Sequence, residues 1–113
     1  MDFLKLLKTK TFVESWVVLS QRVWNTGFYY KIRLILKDSS SLQATEYTDE
    51  NERNYSFHWQ NRDGKLIIRW DNAPHHRHIS TYPHHKHILD KIESSVEMTF
   101  IQALDEIEEV LKK

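Results

Sequence analysis

The chain has 113 residues, with 16 Lys+Arg against 16 Asp+Glu, seven histidines, two glycines, two prolines and no cysteine. At ~100–200 residues per domain this is one domain, 1–113, and 40% apolar with 12% aromatic content supports an ordinary core rather than disorder. Without cysteine there is no disulfide framework, thiolate metal site or cysteine nucleophile. No apolar run approaches the ~20 residues that span a bilayer, and Met1–Lys5 lacks the pattern of a secretory signal, so a cytoplasmic protein is expected.

The zero net charge conceals a segregation. Residues 1–37 carry +5, residues 38–71 carry −3, residues 72–91 carry +2 and residues 92–113 carry −4. Six of the seven histidines fall in the third block, where each titrates near neutrality and can add positive charge.

Met1–Lys10 fits either a short amphipathic helix or a ragged strand. Phe12–Trp24, rich in Val, Trp and Phe, predicts a first strand that Gly27 interrupts. Phe28–Lys37 alternates, with Tyr30, Ile32, Leu34 and Leu36 on one face and Lys31, Arg33 and Lys37 on the other. After the turn at Asp38–Ser41, Leu42–Thr48 predicts a weaker third strand. Tyr55, Phe57 and Trp59 share one face of a fourth, with His58 opposite. The Asp63-Gly64 hairpin signal then leads into a fifth strand, with Leu66, Ile68 and Trp70 on its apolar face and Arg69 and Asp71 on the other. Thr99 and Gln102 stand at capping-box spacing, with Met98 and Ala103 placed for a hydrophobic staple. Ile101, Leu104, Ile107 or Glu108, and Leu111 follow at helical intervals. The expected architecture is α+β, an antiparallel meander of about five strands with a C-terminal helix packed on one face.

Between the fifth strand and the helix, a pattern of Pro-His-His-base-His occurs twice, as Pro74–His78 and Pro83–His87. Three accounts compete. His76/His78 and His85/His87, with Asp71 or Asp90, could hold zinc or another divalent metal that favours imidazole, although the embedded Arg77 and Lys86 would repel a cation. Alternatively, paired histidines with Arg69 and Lys86 supply the base, acid and cations for cutting RNA through its own 2′-hydroxyl without a cofactor. In that case Lys31, Arg33, Tyr55, His58 and Tyr82 are candidate binding residues, through charge and stacking. In the third account the histidines only cap strands and stack on neighbours. A duplicated motif with embedded bases favours function for at least two of the six.

Tyr55–Gln60, Asp63-Gly64, Arg69–His76 and Tyr82–His87 together resemble the TumE family of small prokaryotic toxins from two-gene toxin–antitoxin modules. The resemblance runs from about Phe28 through the C-terminal helix and is most specific over residues 69–87. It implies similar strand order and a small helix-turn-helix antitoxin as partner. Its implied site is Arg69, Asp71, Asn72, His75, His76, His84, His85, Lys86 and His87, with Glu46, Tyr55 and His58 as neighbours. His78 falls at a variable position, and Ser39-Ser40 departs from the turn of relatives. The implied role is that of a toxin, with target and reaction open. An endoribonuclease and a non-enzymatic module that grips nucleic acid or protein are the two functional expectations. The acids of the final helix, including Glu106 and Glu109, are either a solvated face or a docking surface for a basic antitoxin.

Overall fold

A computed structural model describes residues 3–74 and 76–113, with backbone alone at Phe3 and Leu4. Helix α1 (Phe3–Lys8) is followed by β1 (Val13–Trp24), β2 (Gly27–Leu36), β3 (Ser41–Thr48), β4 (Arg53–Gln60), β5 (Leu66–Asp71), β6 (His85–Ile88), β7 (Lys91–Ser94) and helix α2 (Phe100–Leu111). All seven strands form one antiparallel sheet in chain order.

The meander and its single covered face follow the period-2 pattern. Tyr30, Ile32, Leu34 and Leu36 are buried, as are Leu42 and Ala44 on β3 and Tyr55, Phe57 and Trp59 on β4. Register carries each apolar row across the sheet, as in Ile32–Ala44–Phe57–Trp70. Helix α2 closes this face with Phe100, Ala103, Leu104 and Ile107. Leu104 and Ile107 of the expected stripe are buried and Leu111 packs against the core, so the departure is confined to the first turn. Ile101 is exposed, and Phe100 instead lies 6.0 Å from the Tyr30 ring and 6.1 Å from Phe57. The capping box forms as the spacing predicts: Thr99 Oγ1 accepts from the Gln102 backbone and Gln102 Oε1 accepts from Thr99 N–H. Met98 and Ala103, the expected staple pair, are both buried. The open alternative at the N-terminus resolves as a helix, α1, which contributes Leu7 to the core.

The expectation of about five strands was too low. Strand β6 takes in the end of the second histidine repeat, and β7 follows it before the C-terminal helix. The sequence His-Lys-His-Ile carries no apolar alternation, so its pairing to β5 rests on backbone hydrogen bonds that leave no hydropathy trace.

Gly27 has a steric duty at the β1–β2 hairpin. A Cβ there would stand 1.9 Å from the Thr48 carbonyl oxygen, a backbone atom that cannot swing away. Gly27→Ala is therefore expected to destabilise the fold by about 2 kcal/mol, read as a lower urea midpoint at unchanged slope.

Glu46 and Tyr55, expected as neighbours of the histidines, belong to the covered face. Glu46 is buried, accepting hydrogen bonds from Tyr30 Oη at 2.8 Å and Arg53 Nε at 2.7 Å. Arg53 also donates to the Met98 carbonyl at 2.7 Å and Glu97 at 3.0 Å, so this network ties β3 and β4 to the approach of α2. Burial and the adjacent Glu46 carboxylate push the Tyr30 phenol far above its ordinary value.

Candidate functional site

With the helix on one face, the alternate residues of the strands form an open polar face. Two rows cross it in register: Lys31–Thr45–Ser56–Asp71–His85 and Arg33–Gln43–His58–Arg69–His87. Strand alternation on β6 sends His85 and His87 to this face and Lys86 to the other, opposite Trp70. Lys86 lines a separate cleft with Trp70, Thr81 and Glu106. The expectation that Lys86 joins the histidines is corrected by that one-residue phase.

The loop from β5 to β6 folds back through successive turns, Ile79 N–H to His76 O, Tyr82 N–H to Ile79 O and His84 N–H to Thr81 O. This brings His76, from the first repeat, against the second. Its ring centroid lies 4.8 Å from His85 and 5.7 Å from His87, and His85 and His87 are 5.0 Å apart. His78 follows at 6.1 Å from His76 and is exposed. His75 lies outside the described residues.

Asp71 sits behind the cluster and is 4% exposed. Its Oδ1 faces His85 Nε2 at 2.7 Å and accepts from Ala73 N–H at 3.1 Å. Its Oδ2 accepts from Arg69 Nε at 3.0 Å and faces His87 Nε2 at 3.4 Å. The other nitrogen of His85 is 2.9 Å from the Pro83 carbonyl oxygen. Both nitrogens of this buried ring therefore face oxygen atoms. Asn72 pins the start of the loop to β4, accepting from Tyr55 N–H at 2.9 Å and donating to the Arg53 carbonyl at 2.6 Å.

The remaining candidates stand apart. His84 Nδ1 is hydrogen-bonded to Tyr55 Oη at 3.0 Å and its ring lies nearly parallel to that of Tyr55, while Met98 N–H donates to the same oxygen at 3.3 Å. It joins loop to core and faces away from the cluster chemistry. Tyr82 is exposed, with the Arg77 guanidinium 5.9 Å from its ring centroid. Lys31 and Arg33 are on the open face, on β2, four strand positions from His85 and His87 on β6.

Burial first, then the Arg69 charge, lowers His58 below its ordinary 6.5. Burial also lowers His87, with His85, Arg69 and His76 adding to that effect and Asp71 opposing it. Between these lowered values and 6.5 the unfolded chain binds more protons than the native one, so stability rises with pH there. Acidification from pH 7.5 through this window is expected to lower the urea midpoint, and His58→Gln or His87→Gln should flatten the dependence.

Beside the cluster lies a cleft of about 530 Å³ floored by Gln43, Thr45, Ser56, His58 and Gln60, with Arg33 and Arg69 among its lining residues. These polar residues were not singled out apart from Arg33, His58 and Arg69. Their signal was the alternation itself, which places every second residue of β2–β5 on one face.

No helix among the described residues is long and apolar enough to cross a membrane. The family described as Toxin TumE matches residues 3–112 of this chain. No curated relative and no solved structure matches it.

Proposed function

Since the chain belongs to the TumE family of toxins, and so is a toxin of a toxin–antitoxin system, we propose that it arrests growth by cutting RNA in the cytoplasm with its histidine cluster. The observation that carries this is the convergence of His76 and His87, both partly exposed and 5.7 Å apart, beside Arg69. His87, lowered by burial, stands as the base and takes the proton from the 2′-hydroxyl. The freed oxygen attacks the adjacent phosphorus, and His76 returns a proton to the departing 5′-oxygen. The products are a 2′,3′-cyclic phosphate and a 5′-hydroxyl. Arg69, with donors left beyond its bond to Asp71, neutralises the crowded phosphate. His85 is too buried to touch substrate, and with Asp71 it holds the cluster in place.

The test is purified protein with a single-stranded RNA at pH 5–8, with and without chelator. Wild-type protein is expected to cut and His87→Ala to lose about 10²–10⁴-fold in rate with its thermal transition preserved. The acidic limb of the pH profile should fall below 6.5, because activity rises as His87 loses its proton. RNA that is bound in a salt-dependent way and never cut supports instead a module that blocks without chemistry.

One observation favours a second account. Nitrogens of His76, His85 and His87 lie within 4.8 Å of one another, a set that zinc or a similar divalent ion could draw together at ~2.0–2.1 Å. The bonds of His85 to Asp71 and Pro83 oppose it, since an ion would have to displace one of them. Activity lost in chelator and restored by zinc would decide for the metal. The antitoxin that the family implies is proposed as a small helix-turn-helix protein, and charge reversal at Glu106 and Glu109 tests whether α2 receives it.

A further inference from the structure

The polar cleft beside the histidines is continuous with them. Arg69 lines both, and the row Arg33–Gln43–His58–Arg69–His87 crosses β2 to β6 in unbroken register. At about 4.8 Å per strand the row is roughly 19 Å long, enough for a few nucleotides laid across the strands. Cations stand at Arg33 and, beside the cluster, at Arg69. Between them the floor is made of amides, an imidazole and hydroxyls, which present donors and acceptors together, as the edge of a nucleobase does.

The internal bonds of the floor define what it offers. Arg69 Nη1 lies 3.4 Å from His58 Nδ1, so that nitrogen accepts, and Nε2 of the same ring donates to Gln60 Oε1 at 3.2 Å. The amide nitrogen of Gln60 is left to donate outward. Arg33 and Gln43 have no side-chain partner among the described residues and are exposed. A duplex keeps its base edges paired within the stack and presents phosphates and sugars, whereas an unpaired strand can turn a base into such a cleft.

We propose that the substrate is single-stranded RNA, running across the strands from the histidine cluster to Arg33, with one nucleobase seated on the Gln43–His58–Gln60 floor. The phosphate next to that base then reaches Arg69 and the histidines. This inference rests on the RNA-cutting account and adds its substrate class and a base-binding subsite.

The experiment uses a fluorescent 2′-O-methyl RNA, which lacks the attacking hydroxyl and cannot be cut, with binding read by anisotropy. The single strand is expected to bind at least 10-fold tighter than the same sequence annealed to its complement. Arg33→Ala should weaken it and reduce the salt slope by about 0.7, the share of one phosphate contact on a single strand. Gln43→Ala should reduce discrimination among oligonucleotides of different base composition by about 10-fold. Equal affinity for the duplex, or wild-type binding by both variants, overturns the inference. The two proposals fail separately. If this binding pattern holds and unmodified RNA is never cut, the catalytic account falls and the subsite stands. If RNA is cut and both variants keep wild-type kcat/KM, the subsite falls and the catalysis stands.

Discussion

Asp71→Asn is expected to abolish growth arrest and to lower RNA cleavage by about 10²–10³-fold, while costing about 3 kcal/mol of stability. The carboxylate accepts on both oxygens, from Arg69 and Ala73, and faces His85 and His87. An amide of the same shape must turn its NH₂ toward one of these pairs, setting donor against donor. Turned toward His85, the NH₂ removes an acceptor that a ring at 2% exposure cannot replace with water, and turned the other way it meets Arg69 Nε. Two measurements separate chemistry from folding. Urea denaturation gives the stability change, and cleavage assayed well below the transition gives the rate of the folded variant. Wild-type cleavage in a folded Asp71→Asn protein would remove Asp71 and His85 from the catalytic account.

Phe100→Ala is expected to have the largest effect on the fold, about 4 kcal/mol and a fall in Tm of about 15 °C or more. Phe100 is 1% exposed and touches the aromatic rows of β2 and β4 at the point where α2 meets the sheet. Its removal leaves a cavity that neither the sheet nor a 12-residue helix can close. Ile101→Ala, one position along the same helix, should change stability by less than about 1 kcal/mol, since that side chain is 47% exposed. Calorimetry of the two variants checks the phase of the helix directly. Comparable losses in both would mean that α2 sits on the sheet in another rotation.

The period-2 pattern of β2–β5, the Asp-Gly turn and the Thr99 capping box were legible because each is local. An apolar face needs burial, a left-handed turn position needs Gly64, and orphan helix N–H groups need a cap. The first turn of α2 was less legible, since Phe100 and Ile101 are both apolar neighbours and only packing distinguishes them. Strand β6 was invisible for a different reason. Three of its four residues are His or Lys, so no apolar alternation marks it, and it pairs to the backbone edge of β5.

By itself the sequence determined the class of the fold and its polar and apolar faces, because composition and alternation are properties of short segments. It also marked the histidine segment, through a motif repeated nine residues apart. Only the tertiary structure decided which of its residues meet. Pairing of β6 to β5 places His85 and His87 over Asp71 and turns Lys86 to the opposite face, and the folded loop adds His76 while His84 goes to Tyr55. Register and loop closure are contacts between distant segments, and a one-residue change in either exchanges the faces of a strand.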